Sequence, residues 1–141
     1  MIVEGGLEVL SDVDSARLLA VRDVGRIGVT VGALPAIYPV NYLVDGGAIL
    51  FRTLPGSTLA TVVPGAIVAF EVDDYEQADR TGWSVLAVGQ AEVLDADEVD
   101  GIEQPDTWAE GDRSVVVRIV PTFLSGRRLV HTTDTAPSPS R

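Results

Sequence analysis

The sequence predicts a mainly β fold, an antiparallel barrel of about six strands with a few short helices. Three observations carry that prediction. Short apolar runs rich in valine, isoleucine and leucine recur along a 141-residue chain that is 46% hydrophobic. Tight-turn signals separate them, and Asp45-Gly46-Gly47 is a strong hairpin signal. A clear helical pattern occurs once, near the start, so the regular strand–helix alternation of a parallel sheet is missing. A closed barrel also removes its own edges, which lets many apolar strands coexist in a small chain.

Taken in order, residues 1–10 read as weakly ordered, with two adjacent glycines and little periodicity. Ser11 followed by Asp14 is an acidic variant of the capping box, and Val13, Ala16, Leu18, Leu19 and Val21 give an amphipathic helix over 12–22 that Gly25 ends. Strands follow over 26–31 and 36–44, then 48–53 across the Asp45-Gly46-Gly47 hairpin. Pro55-Gly56-Ser57 breaks that strand before a short helix over 58–63. The nearly continuous apolar run 66–72 reads as a strand buried on both sides. Residues 73–79 are a loop by acidic composition, and 80–94 a long strand in which Gly82 and Gly89 mark bulges or close approaches. A weak helical pattern covers 95–103, a loop 104–112, and a last strand 113–124. The Thr/Ser/Pro-rich tail 132–141 reads as disordered, which leaves a single domain over 1–131.

Composition removes several classes of function. Ten basic residues against 21 acidic ones give a formal net charge of −11, and every base is arginine. Such a chain lacks the basic face that nucleic-acid binding needs. Without lysine it forms no Schiff base with pyridoxal phosphate and no P-loop. Without cysteine it has no disulfide, thiolate zinc site or thiol nucleophile. No apolar run approaches the ~20 residues of a membrane span, and residues 1–4 lack a signal-peptide pattern, so a soluble cytoplasmic protein is expected. The single histidine, His131, beside the tail, reads as a surface residue, and no nucleophile elbow accompanies it. Asp73, Asp74, Glu76 and Asp79 lack metal-loop spacing and read as solvated charge. Asp95, Asp97 and Glu98 read as helix-start residues.

One patch offers binding chemistry. Tyr38 to Tyr42 lie on one hairpin strand and Phe51 to Thr53 on its partner, so the hairpin brings Asn41 close to Arg52. Gly56-Ser57-Thr58 follows at a helix start. Guanidinium, amide and hydroxyl groups beside an aromatic ring suit an oxyanion such as phosphate. The plainer reading is a capped turn beside a surface arginine, and the residues alone leave both open.

The ordered motifs P-V-N-Y (39–42), D-G-G (45–47), F-R-T (51–53), G-S-T-L (56–59), T-G-W-S-V (81–85) and G-Q-A-E (89–92) resemble the pyridoxamine 5′-phosphate oxidase-like flavin-binding split barrels, most closely the short actinobacterial members. The helix over 11–22, V-G-R-I-G-V (24–29), V-R-I-V-P (117–121) and G-R-R (126–128) fit the same pattern, so the likeness spans about residues 10–129. The resemblance implies a six-stranded split barrel, a homodimer, and FMN held in a cleft between subunits. It implies that Pro39, Val40 and Asn41 line the isoalloxazine edge, largely through backbone groups. Arg52 and Thr53 fall near the ribityl-phosphate, Ser57 and Thr58 at the phosphate, and Trp83 and Ser84 near the ring system. For Trp83, plain core or dimer-interface packing stands as an equal reading.

One departure matters. Relatives carry a lysine or arginine where this chain has Thr58, and losing a charge-assisted phosphate contact costs ~1.5–3 kcal/mol, roughly tenfold to a hundredfold in affinity. The resemblance therefore implies an FMN-dependent oxidoreductase passing hydride to or from a small-molecule substrate, with no catalytic residue assigned. Oxidation of pyridoxamine 5′-phosphate itself is disfavoured, because the substrate phosphate needs a further basic site. The alternative is a non-catalytic barrel: a carrier of flavin or the deazaflavin F420, or an apo dimer with a degenerate pocket. Haem is a further ligand within the superfamily.

Overall fold

The computed structural model describes residues 3–130; His131 and the tail 132–141 lie outside them. Eight strands and three short helices follow in the order β1 (Val3–Glu4), β2 (Leu7–Val9), α1 (Asp12–Leu19), β3 (Val24–Val31), β4 (Leu34–Asp45), β5 (Ala48–Thr53), α2 (Thr58–Val62), β6 (Ile67–Glu76), β7 (Thr81–Val93), α3 (Ala96–Asp100) and β8 (Val115–Leu129). Strands β8, β5, β4, β3, β6 and β7 lie side by side, and β7 returns to β8, which closes the expected six-stranded antiparallel barrel.

Alternation places one set of side chains inside. Ile27 and Val29, Ile49 and Phe51, Val68, Phe70 and Val72, Val85 and Ala87, and Val117 and Ile119 form one buried core. Helix α1 plugs one end. Its Leu19 joins the core, and the carbonyl of Leu19 accepts a hydrogen bond from the buried hydroxyl of Tyr42. Burial pushes that phenol up to about 12, so it stays a donor. The Tyr42 ring meets Phe70 edge to face, with centroids 4.9 Å apart.

Several expectations are corrected. Residues 3–9 are not weakly ordered: Gly5 and Gly6, at φ 58° and 84°, turn β1 onto β2, which then pairs with the end of β8. Strands of two and three residues are too short to show a period. Helix α1 stops at Leu19, three residues early, capped at Ala20 by bonds back to Arg17 and Leu18. Gly25 does not end it but lies inside β3, where a Cβ would meet the Phe70 ring at 2.3 Å. The acidic stretch is strand as far as Glu76, because β7 pairs with it residue by residue from Asp73↔Ser84 to Glu76↔Thr81. The last strand runs five residues further than expected, to Leu129, matched by β7 as far as Gly82. Gly89 is the close approach foreseen. The ladder shifts register there, and a Cβ would sit 2.0 Å from the Val120 carbonyl oxygen.

A second, smaller cluster lies on the outside. Leu50, Leu94 and Val116 pack with Leu43, Val99 and Ile102, so α3 and the turn after it cover the outer face of β4, β5 and β8. The capping box of α3, Asp95 with Glu98, bears out the helix-start reading of those carboxylates. From there residues 103–113 cross toward the barrel mouth.

Candidate functional site

The hairpin of β4 and β5 is paired only from Asp45↔Ala48 to Tyr42↔Phe51. Beyond that point β4 stays with β3, as in Val24↔Asn41, while β5 stays with β8, as in Arg52↔Val116 and Thr53↔Val115. The two neighbours part, and the barrel is split there. The split leaves backbone and side-chain polar groups facing a gap rather than a ladder partner.

A cavity of about 290 Å³ occupies this mouth. Strand β4 lines it with Tyr38, Pro39, Val40 and Asn41, and β5 with Arg52 and Thr53. Ser57, Thr58 and Leu59 close one side, and Thr107, Ala109 and Arg113 come from the crossing segment. Seven of the residues singled out from sequence thus share one cavity: Pro39, Val40, Asn41, Arg52, Thr53, Ser57 and Thr58. Trp83 and Ser84 are not among them. They lie on β7 in a separate groove with Asp74, Tyr75, Gly82, Arg127 and Leu129, and Trp83 also packs against the core.

The hydrogen bonds show which groups are committed. Ser57 caps α2 by accepting from the Ala60 N–H at 3.1 Å, and its hydroxyl also pairs with that of Thr53 at 2.9 Å. The capped-turn reading therefore holds for Ser57, yet its oxygen still faces the cavity. Thr58 is exposed at the rim. Asn41 is a latch: its amide nitrogen donates to the Asp23 carbonyl at 3.3 Å, and its oxygen accepts from the Trp108 N–H at 2.8 Å. That leaves the Tyr38 hydroxyl and backbone groups as the polar contribution of this strand stretch.

Arg52 donates to Gln104 Oε1 at 3.5 Å and to Thr107 Oγ1 at 3.3 Å, both long for a hydrogen bond. Its Nε is buried and unpartnered, as is the Nε of Arg113. Arg113 otherwise donates only to the Glu110 carbonyl, at 3.4 Å. Among the described residues, Arg17, Arg22, Arg26, Arg118 and Arg128 are all bound to carboxylates, whereas Arg52, Arg113 and Arg127 make no carboxylate pair, and of these three only Arg52 and Arg113 line this cavity. Two guanidinium groups without a carboxylate partner and the hydroxyls of Tyr38, Thr53, Ser57, Thr58 and Thr107 therefore line one cavity in a chain of net charge −11. The chemistry of such a set suits an oxyanion.

Thr107, Ala109 and Arg113 were beyond sequence reasoning. Thr107 and Ala109 lie in a segment without a period; Arg113, expected as the first residue of the last strand, instead precedes β8, which begins at Val115 paired with Thr53.

One row of the barrel's outer surface is apolar. The register aligns Ile37, Gly28, Ala69, Val88 and Phe123 across five strands, with Ile37 71% and Phe123 54% exposed. The next row carries Pro39, which also lines the cavity, followed by the ion pair Arg26–Glu71.

Comparison with known proteins gives a consistent result. The family model described as pyridoxamine 5′-phosphate oxidase matches residues 11–128. An uncharacterized protein of Mycobacterium tuberculosis is 39% identical over 124 residues, covering 83% of this chain and 82% of its own. Among solved structures, an FAD binding protein from Mycobacterium smegmatis superposes with a TM-score of 0.69 at 30% identity, covering 86% of this chain and 97% of its own. A conserved protein of unknown function from Corynebacterium diphtheriae superposes at 0.72 and 28% identity, covering 89% and 99%.

Proposed function

Because the chain belongs to the pyridoxamine 5′-phosphate oxidase family, we propose that it binds a flavin nucleotide, FMN, at the split mouth of the barrel and acts as an oxidoreductase on a small molecule. One observation carries this reading: two guanidinium groups without a carboxylate partner share a cavity with the hydroxyls of Thr53, Ser57 and Thr58. A phosphate oxygen accepts charge-assisted hydrogen bonds from guanidinium N–H groups that no carboxylate engages. The donor set thus suits the phosphate end of the nucleotide. The M. smegmatis relative, an FAD binding protein, supports a flavin.

In this reading Arg52, Thr53, Ser57 and Thr58 hold the phosphate, and the backbone of Pro39, Val40 and Asn41 borders the ring. When bound, the flavin supplies the hydride chemistry, while the chain orients it and keeps water away. A cavity of about 290 Å³ is at the low end for a ligand pocket, so one copy provides only part of the site. The apolar row of the outer surface is where a second copy would sit, forming a homodimer, and Trp83 and Ser84 of the second copy would complete the ring pocket. Among the described residues no helix is long and apolar enough to cross a membrane, and a cytoplasmic location is part of the same proposal.

A second reading, a carrier of flavin or of the deazaflavin F420 without turnover, rests on the lining itself. Among the described residues the cavity presents no carboxylate or imidazole to move a proton, and position 58 is threonine. Both readings are tested by the visible spectrum of freshly purified protein, followed by titration with FMN, FAD, F420 and haem. Flavin bands that bleach with a reductant and return in air support the oxidoreductase. Bound cofactor without substrate-dependent turnover supports the carrier. Colourless protein that binds no flavin overturns the first reading, and a monomer in sedimentation overturns the shared site.

A further inference from the structure

We infer that Arg113 is the second cation of the phosphate site, entering from the segment before β8 and working with Arg52 on the same phosphorylated ligand. The inference deepens the flavin reading and rests on it for the identity of the ligand.

Three observations support it independently of each other. First, position. Strand β8 begins with Val115 paired to Thr53, so Arg113 stands two residues past the last cross-strand pair, at the same end of β5 that carries Arg52. Both side chains line one cavity. Second, chemistry. Asp112 is its neighbour and Glu110 lies three residues back, yet its guanidinium makes no carboxylate pair and takes only the Glu110 carbonyl. An arginine among acids that lines a cavity and still makes no carboxylate pair keeps its charge for an anion in that cavity. Third, charge. A net charge of −11 opposes any anionic ligand, so a phosphate site here needs local compensation, and one arginine against a phosphate monoester of about −1.5 to −2 falls short. Arg52 and Arg113 together balance that charge, which removes the need for a base at position 58.

The consequence is a preference for phosphorylated over unphosphorylated flavin that depends on Arg113. The test titrates FMN and riboflavin, which differ in the phosphate alone, into the full chain and its Arg113→Gln and Arg113→Lys variants. Melting curves establish that each variant is folded. We expect Arg113→Gln to weaken FMN by roughly tenfold to a hundredfold, the ordinary worth of one charge-assisted contact, and to leave riboflavin unchanged. Arg113→Lys recovers part of the loss by restoring charge without the fork. Equal losses for both flavins, or unchanged FMN affinity in Arg113→Gln, overturn the assignment while leaving the flavin reading standing. If the unmodified chain binds neither flavin, the flavin reading falls, and inorganic pyrophosphate measured by calorimetry decides for Arg113. Saturable binding lost in Arg113→Gln upholds it as an anion contact, and identical heats in both proteins overturn it.

Discussion

The two sides of this barrel solve opposite problems. On one side β7 pairs with β8 from Gly82↔Leu129 to Val93↔Val117, and with β6 from Ile67↔Gln90 to Glu76↔Thr81. Almost every backbone group there has a ladder partner, and Phe70, Val72, Val85, Ala87 and Val117 are fully buried behind it. On the other side β4 and β5 keep only four pairs before they part. The groups freed by that parting, with Arg52 and Arg113, face a cavity. Continuous pairing yields a rigid wall, and interrupted pairing yields a site. Substitutions on the wall should therefore cost stability, and substitutions at the mouth should cost binding.

The strongest test of that contrast is Gly89→Ala. The new Cβ would meet the backbone of Val120 and Pro121 at 2.0–2.9 Å, where no flexible side chain can yield. Opening the ladder there should cost about 3 kcal/mol or more and lower the melting temperature by roughly 10 °C. A wild-type melting curve would show that the wall is softer than its pairing suggests.

Arg52→Ala probes the mouth. We expect FMN affinity to fall by roughly tenfold to a hundredfold in a fluorescence titration. The melting temperature should stay nearly unchanged, because Arg52 has only long bonds to Gln104 and Thr107 to lose. A large fall in melting temperature with intact affinity would reverse the comparison.

Tyr42→Phe lies where the two regions meet. It removes the donor to the buried Leu19 carbonyl while keeping the ring on Phe70, and should cost ~1–2 kcal/mol in a denaturant titration.

The smallest expected effect is one of pH, on the outer face. Burial, reinforced by Asp73, pushes Glu71 up to about 7; Arg26 pulls the other way but is itself half exposed to solvent. A carboxyl whose folded pKa exceeds its unfolded value takes up a proton on folding, so its contribution is fully present at acid pH. It is lost as pH rises from the unfolded value near 4.5 through about 7. Melting temperatures at pH 5.5 and pH 8, compared with those of Glu71→Gln, should show a drop toward pH 8 that the variant lacks.

Much of the architecture was legible beforehand because its signals are local. Asp45-Gly46-Gly47 names its own turn through positive φ at both glycines, and the strand over 48–53 has the bounds expected. Gly82 and Gly89 stood out within a strand, and both prove to sit against neighbouring backbone. The errors also have local causes. Acidic composition made 73–76 look like loop, although Asp73 forms an ion pair with Arg26 on β3 and Asp74 with Arg22 just before it. The cavity was half legible: β4 and β5 could be aligned from their hairpin, which brings Asn41 toward Arg52, but the crossing segment that delivers Thr107 and Arg113 has no periodicity to align.

The sequence by itself determined the mainly β class, the order of the strands along the chain and the hairpin that opens into the site. Each depends on neighbours within a few residues, through alternation, turn chemistry and glycine placement. The tertiary structure alone decided where β4 and β5 separate, which arginines find carboxylates, and which two are left facing a common cavity. Those outcomes depend on pairings between residues far apart in the chain, such as Thr53 with Val115, and no local pattern encodes them.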